Sequence, residues 1–388
     1  MKVLSLFDGM ACGYLAMQKS NIAVSRYEAF EVDKYAVKTT SHNFPDISHN
    51  GDVFRGGYVK YRGFDFLLGG SPCTYWSIAQ KNNRETEASG MGWELFSQYV
   101  RALRETQPRY FVYENNKSMS KAIRESITDA FCFEPICINS ALVSAQNRQR
   151  LYWVGKRNAD GTYSRVEIEQ PEDRGIVLEE ILDNGHRIPT YGSEDKARPI
   201  GSLYPNNCGG FEHRMFSENP NKQQVDMIAE PVRVGCMPSP DGNLRGSQSK
   251  RVYSVDGKSV NLTGQGGGGG AKTGLYAVPV PKFAAPCEWD KEGRPIKAIS
   301  YADGKVYQVY EVKDGLITIK GKKYPIKLAD GFYIIRKLTV RECMRLQTVP
   351  EWYEFPVSDT QAYKMLGNGW TVDVISHILN CINKIEKE

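Results

Sequence analysis

The sequence predicts an α/β fold, with a doubly wound, mostly parallel sheet followed by a smaller β-rich unit. Two observations carry the prediction. From residue 1 to about 157, short apolar β-like runs alternate with helical stretches, which is the pattern of successive βαβ units. From about 160 to 335 the chain is rich in Gly, Pro, Asn and Ser and holds only short β-like runs. Helical periodicity then returns at the end.

The elements follow in order. Val3 to Phe7 reads as a strand, Tyr14 to Lys19 as a helix, Tyr27 to Glu31 as a second strand and Lys34 to Asn43 as a second helix. Phe64 to Leu68 is a strand. Trp93 to Thr106 is a longer helix, because Leu95, Phe96, Tyr99, Val100 and Leu103 recur at helical spacing. Tyr110 to Tyr113 and Leu151 to Val154 are buried strands. Past Lys156, Arg251 to Lys258 looks like a strand entering a turn, and Tyr307 to Val312, Leu316 to Ile319 and Phe332 to Ile335 like further strands. The glycine run through Gly270 excludes a regular helix there. Thr339 and Glu342 have capping-box spacing, and Thr360 to Met365 and Thr371 to Ile385 read as the last helices, split by Leu366-Gly367-Asn368-Gly369.

Composition narrows the function. With 388 residues, two domains are expected, and 41% hydrophobic content supports a packed core. A net charge of +5 permits nucleic-acid binding without requiring it. No apolar run approaches membrane-spanning length, and the first apolar run is too short for a secretory signal. The nine cysteines form no CxxC pair, so neither a disulfide framework nor a metal site is indicated, and a reducing cytoplasm fits best. The five dispersed histidines read as ordinary surface or core residues.

Four groups of residues carry chemistry. Phe7-Asp8-Gly9-Met10-Ala11-Cys12-Gly13 follows the first strand, where glycine lets a ligand approach the backbone. Glu31 ends the second strand, a usual place for holding a ribose diol, and Asp52 before Val53 could take an adenine amino group. Together they point to a nucleoside cofactor. The absence of GxGxxG disfavours a nicotinamide dinucleotide. Gly70-Ser71-Pro72-Cys73 places a thiol behind a proline at a strand end, like a nucleophile on a rigid edge; the plainer reading is a small buried residue. Glu114-Asn115 ends a very apolar strand. Desolvation there favours the protonated acid, which could donate a proton near neutral pH, unless the carboxylate merely caps the next helix. Arg148 and Arg150 supply guanidinium groups to steady developing charge, or else form a solvated basic edge.

These motifs, in this order, resemble the DNA (cytosine-5)-methyltransferase family of phage and bacterial type. Phe7 to Gly13 resembles its cofactor loop, Gly70 to Cys73 its nucleophile motif, Glu114-Asn115 its Glu-Asn motif and Gln146 to Arg150 its Gln-x-Arg-x-Arg motif. Arg336 to Thr339 with Arg341-Glu342-Cys343 resembles the motif after the target-recognition domain, and Tyr363 with Gly367-Asn368 the closing motif. The resemblance implies a Rossmann-like, S-adenosylmethionine-dependent catalytic domain (1–158), a β-rich target-recognition domain (159–335) and a C-terminal segment (336–388) that packs back on the first. It implies Phe7, Gly9, Met10, Glu31, Val32, Asp52, Val53, Pro72 and Asn368 as cofactor contacts. It implies site-specific methylation of a flipped cytosine in duplex DNA. Cys73 would add to C6, Glu114 would hold N3, and Arg148, with Arg150 beside it, would face O2. Ser77, Lys81 and Arg84, on a loop that closes over DNA, together with Gln248 and Arg251 in the variable domain, would contact the duplex. Arg251 would read a guanine edge and Gln248 would fill the gap left by the flipped base. A monomer in the cytoplasm of a bacterial or phage-infected cell is expected, with or without a cognate restriction endonuclease. A tRNA cytosine-5 methyltransferase and a catalytically silent DNA-binding relative are the alternatives. Three positions depart from the family pattern: Asn116 stands where valine is usual, Val32 where a large aromatic is frequent, and Gly369 where serine is usual.

Overall fold

The computed structural model describes residues 1–77, 84–184, 229–239, 242, 244, 250–262 and 274–386. Its first sheet holds β1 (Lys2–Leu6), β2 (Arg26–Phe30), β3 (Ser48–His49), β4 (Phe66–Gly69), β5 (Tyr110–Asn116), β6 (Ile136–Asn139), β7 (Gln149–Arg157) and β8 (Tyr163–Arg165). The spatial order is β3-β2-β1-β4-β5-β7-β6, with β8 on β7. The first five strands pair in parallel. β7 runs antiparallel to β5, β6 and β8, so the sheet is less uniformly parallel than its sequence suggests. The order reverses at β1, which is where an open α/β sheet leaves a crevice beyond the carboxyl ends of its strands.

Helices α1 (Cys12–Lys19), α2 (Lys34–Asn43), α3 (Gly90–Thr106) and α4 (Lys121–Phe131) make the crossings. α4 was not expected. Its signal was nevertheless present, since Ile123, Ile127 and Phe131 recur every fourth residue and are all buried, and Ser120 Oγ accepts the Ile123 N–H at 3.3 Å. An aromatic core of Phe96, Tyr99, Phe111, Tyr113, Phe131 and Trp153 fills the space between the sheet and α3 and α4.

After the short helix α5 (Leu178–Ile181), the second sheet comprises β9 (Arg233–Cys236), β10 (Arg251–Ser254), β11 (Leu275–Val280), β12 (Ala284–Trp289), β13 (Pro295–Ser300), β14 (Val306–Lys313), β15 (Leu316–Ile319), β16 (Lys322–Pro325) and β17 (Gly331–Arg336). Its order is β12-β13-β14-β17-β11-β10-β9, with the β15–β16 hairpin on β14. Every pairing is antiparallel except β10 with β11.

The chain returns through α6 (Val340–Leu346), α7 (Asp359–Asn368) and α8 (Val372–Ile385). The capping box forms as the spacing predicts: Thr339 Oγ1 accepts the Glu342 N–H, and Glu342 accepts the Thr339 N–H. Glu342 also makes a bidentate ion pair with Arg336, both bonds 2.7 Å and both side chains fully buried. α8 buries Val374, Ile375, Ile378, Leu379 and Ile382, and lies against α1. Lys19 pairs with Asp373 there, and Ser20 bonds Ser376 at 2.8 Å. No helix among the described residues is long and apolar enough to cross a membrane.

Candidate active site

An open cavity of about 220 Å³ lies beyond the carboxyl ends of β1, β2, β4 and β5. The loop after β1 forms one wall. Phe7, Gly9 and Ala11 all adopt left-handed backbone, with φ of 58°, 59° and 59°. Glycine takes that conformation freely, whereas Phe7 and Ala11 hold strain of the kind that functional sites store. Nothing lies within 4 Å of where a Cβ on Gly9 would stand, so the backbone there is open to a ligand.

Asp8 and Glu31 supply the carboxylates of this wall. The Tyr27 hydroxyl donates to Asp8 Oδ1 at 2.7 Å, while Asp8 Oδ2 is buried without a partner among the described residues. Burial pushes the Asp8 carboxyl up to about 6, against the opposing hydrogen bonds from Ser5 and Tyr27. Glu31 is oriented by backbone donors: Gly9 N–H reaches Oε2, and the Val32 and Asp33 N–H groups reach Oε1, each at 2.8 Å. Burial alone would raise Asp33, but the Lys364 ammonium at 2.7 Å and backbone donors at the start of α2 hold it below its ordinary value. An unpartnered buried carboxylate oxygen, an open glycine and a fixed strand-end carboxylate suit a cationic nucleoside such as S-adenosylmethionine.

Opposite stands the thiol. β4 ends at Gly69, and a Cβ on Gly70 would lie 2.8 Å from Glu114 Oε2 and 2.9 Å from the Glu114 carbonyl oxygen, so only glycine passes here. Ser71 Oγ bonds the buried Tyr113 hydroxyl at 2.6 Å, and Asn115 Nδ2 donates to the Ser71 carbonyl at 3.1 Å. Asn115 thereby ties the 70–73 loop to β5. Cys73 opens a single 3-10 turn, is half-buried, and accepts the Trp76 and Ser77 N–H groups on its carbonyl.

Glu114 is held at both oxygens. Arg150 Nε lies 3.0 Å from Oε1, and Trp370 Nε1 donates to Oε2 at 2.9 Å. The two arginines have different protein partners. Arg148 lines the cavity, but its Nη1 donates to Asn261 Oδ1 and to the Leu262 and Gly367 carbonyls, and its Nη2 to the Gly369 carbonyl. Burial, then Arg150, pushes Arg148 down to about 10, with Glu114 and Cys73 opposing; it stays cationic at neutral pH. Arg150, not Arg148, is therefore the guanidinium beside the carboxylate, because Arg148 is engaged by protein acceptors.

Of the other expected residues, Phe7, Gly9, Glu31, Pro72, Cys73, Glu114 and Asn368 line the cavity. Met10, Val32, Asp52 and Val53 do not. Met10 is buried with its carbonyl accepting from Tyr353, and Val32 is 71% exposed. Asp52 caps the turn at Phe54, and Val53 is buried beneath it. Arg84 donates to the carbonyls of Trp76 and Ser118. Arg251 is half-buried at the start of β10. Lys81 and Gln248 lie outside the described residues. The sequence reading missed Trp370 and Lys364, and it did not separate the partners of Arg148 from those of Arg150. An aromatic directly after Gly367-Asn368-Gly369 was the one available signal for Trp370.

The departures from the family pattern have local reasons. Asn116 Oδ1 accepts the Ser118 hydroxyl at 2.8 Å, a bond valine could not make. A Cβ on Gly369 would stand 3.1 Å from both Cys12 Sγ and the Met365 carbonyl, so serine would need those neighbours to give. The structure offers no account of Val32.

A family model described as C-5 cytosine-specific DNA methylase matches residues 1–384. The orphan methyltransferase M.SPRI of Bacillus phage SPR is 26% identical, over 97% of this chain and 96% of that protein. The type II methyltransferase M.FnuDI of Fusobacterium nucleatum is 25% identical, over 100% and 98%. Among solved structures, a methyltransferase of Entamoeba histolytica superposes with a TM-score of 0.57 at 13% identity, over 100% of this chain and 99% of that one. A putative DNA modification methyltransferase encoded within an E. coli prophage superposes with a TM-score of 0.52 at 18% identity, over 100% of both chains. With its thiol, carboxylate and guanidinium gathered at one sheet edge, and with a family match that runs nearly end to end, the chain belongs to the C-5 cytosine-specific DNA methylases and is a DNA (cytosine-5) methyltransferase.

Proposed function

We propose that this enzyme methylates cytosine in a short duplex DNA sequence, with the base flipped into the cavity and bonded covalently to Cys73. The observation that carries the reading is the convergence of Cys73, Glu114 and Arg150 on one cavity wall opposite the Gly9 loop. S-adenosylmethionine, when bound, supplies the electrophilic methyl group. Asp8, Gly9 and Glu31 would hold it, with Asn368 and Lys364 on the rim. A cytosine in a duplex cannot reach these groups, so extrusion is required, at a cost of a few kcal/mol.

Cytosine C5 is a poor nucleophile until the ring is activated. The Cys73 thiolate adds to C6, Glu114 gives a proton to N3, and the C5–C6 double bond is replaced by an enamine at C5. Arg150 sits where it can meet the charge that builds on the O2 side, while Arg148 holds the walls together. After transfer, loss of the C5 proton and expulsion of Cys73 restore the aromatic ring. Arg251, and Gln248 beyond the described residues, are proposed to contact the target. A restriction endonuclease of the same specificity and a monomeric state belong to the same reading.

Bisulfite sequencing of host DNA after expression of wild type and Cys73→Ala tests it. Converted-resistant cytosines in one motif, lost in the variant, support the reading. A folded wild type that leaves DNA unmethylated overturns it and directs the same assay to tRNA.

A further inference from the structure

We propose that Trp370 is a positioning residue of the methyl-transfer site, its indole N–H aiming the Glu114 carboxyl at the cytosine ring. The proposal rests on the methyl-transfer reading above. Trp370 lines the cavity and donates to Glu114 Oε2 at 2.9 Å, while Arg150 Nε approaches the other oxygen, Oε1, at 3.0 Å. Held from both sides, the carboxyl cannot rotate about its terminal torsion, which is broad when unrestrained. Each oxygen keeps a second lone pair, so the acid can still carry a proton for N3.

The backbone that carries the indole is pinned through its neighbours in sequence. The Gly369 carbonyl accepts from Arg148 Nη2 at 2.8 Å and from Gln347 Nε2 at 3.3 Å. On the other side, the Thr371 hydroxyl donates to Gln347 Oε1 at 2.8 Å and contacts Ser140 Oγ at 2.8 Å. Trp370 is thus bracketed by two pinned residues, and its backbone is held where the indole N–H reaches Glu114. Gly70 completes the arrangement: a Cβ there would lie 3.3 Å from Trp370 Nε1 and 2.8 Å from Glu114 Oε2, so the bare backbone is what lets donor and carboxylate meet. Both arginines of the 146–150 segment consequently serve one carboxyl, Arg150 directly and Arg148 through the Gly369 carbonyl.

Trp370→Phe keeps a ring and removes the donor. The expected result is a fall in kcat of about tenfold, the scale of one hydrogen bond to a charged group, with the KM for DNA and the affinity for S-adenosylhomocysteine little changed. Covalent trapping on duplexes carrying 5-azacytosine is expected to slow much less, since that ring is electrophilic at C6 with less help from Glu114. Equal slowing on both substrates, or lost S-adenosylhomocysteine affinity, would make Trp370 a structural or cofactor-wall residue and overturn the proposal, as would an unchanged kcat. A second measurement does not depend on how Trp370→Phe folds. In 15N-labelled protein the Trp370 indole proton is expected downfield and to move upfield in Glu114→Gln; a resonance indifferent to that change overturns the assignment. A wild type silent on DNA overturns the methyl-transfer reading and this proposal with it, whereas an active wild type matched by Trp370→Phe overturns this proposal alone.

Discussion

The two sheets concentrate chemistry to different degrees. In the first, parallel strands all end on one edge, so the end of β5 and the loops after its neighbours bring Glu114, Asp8, Glu31 and Cys73 to a single cavity. In the second, antiparallel strands alternate direction, and their loops leave from both edges. That sheet packs its own small core around Val234, Val252, Ala277 and Val312, and exposes Trp289, Ile299, Tyr301 and Val306. Strand direction alone therefore sorts the molecule into a part that gathers reactive groups and a part that offers faces and loops.

Four substitutions test how sharp that division is. The largest effect is expected at Cys73. Cys73→Ala should take methylation below detection, while DNA binding, followed by gel shift, persists; residual methylation would move the nucleophile elsewhere. Next is the joint between β17 and α6. Glu342→Gln leaves the Arg336 guanidinium buried with a neutral partner, and breaking such a pair costs about 3–5 kcal/mol in urea unfolding. A loss under about 1 kcal/mol would mean that the joint is not held by charge.

The third acts through pH. Burial raises the Asp8 carboxyl to about 6 in the folded protein, above the ordinary value of 3.8. Keeping it ionised therefore costs stability at pH 7, by about 3 kcal/mol, and this cost disappears as the pH falls from about 6 towards 4. Asp8→Asn should accordingly stabilise the ligand-free protein at pH 7 and not at pH 4, as read by urea midpoints at the two pH values. A gain equal at both would locate the effect outside the titration. The smallest effect is expected in the second sheet. Arg251→Ala should relax target choice or weaken DNA binding by about tenfold, the scale of one lost base contact, with S-adenosylhomocysteine affinity unchanged. An unaltered methylated motif would assign Arg251 to phosphate contact or to packing.

The same division explains what could be read from the sequence. Residues at the ends of parallel strands stay close to their motif, so Cys73, Glu114 and Glu31 were found by position along the chain. The helix at Lys34–Asn43 and the strand at Leu316–Ile319 fall where periodicity puts them. β11, β12 and β13 escape a sequence reading because Pro279 and Pro286 interrupt the first two runs and Pro295 opens the third. Trp370 and the division of labour between Arg148 and Arg150 depend on contacts across more than 200 residues of chain. No local pattern encodes which of two arginines two positions apart meets a carboxylate and which meets three carbonyls.

That two-residue interval is itself a ruler. Arg150 enters β7 opposite Asn116, two places from Glu114 on the partner strand, while Arg148 is already anchored to residues 261–262 and 367–369. Inserting or deleting one residue between them would turn Arg150 to the opposite face of β7, because side chains alternate along a strand. Length here is less negotiable than identity: strand alternation sets the face that Arg150 meets by the number of peptide units between the two arginines, not by the side chain that stands there.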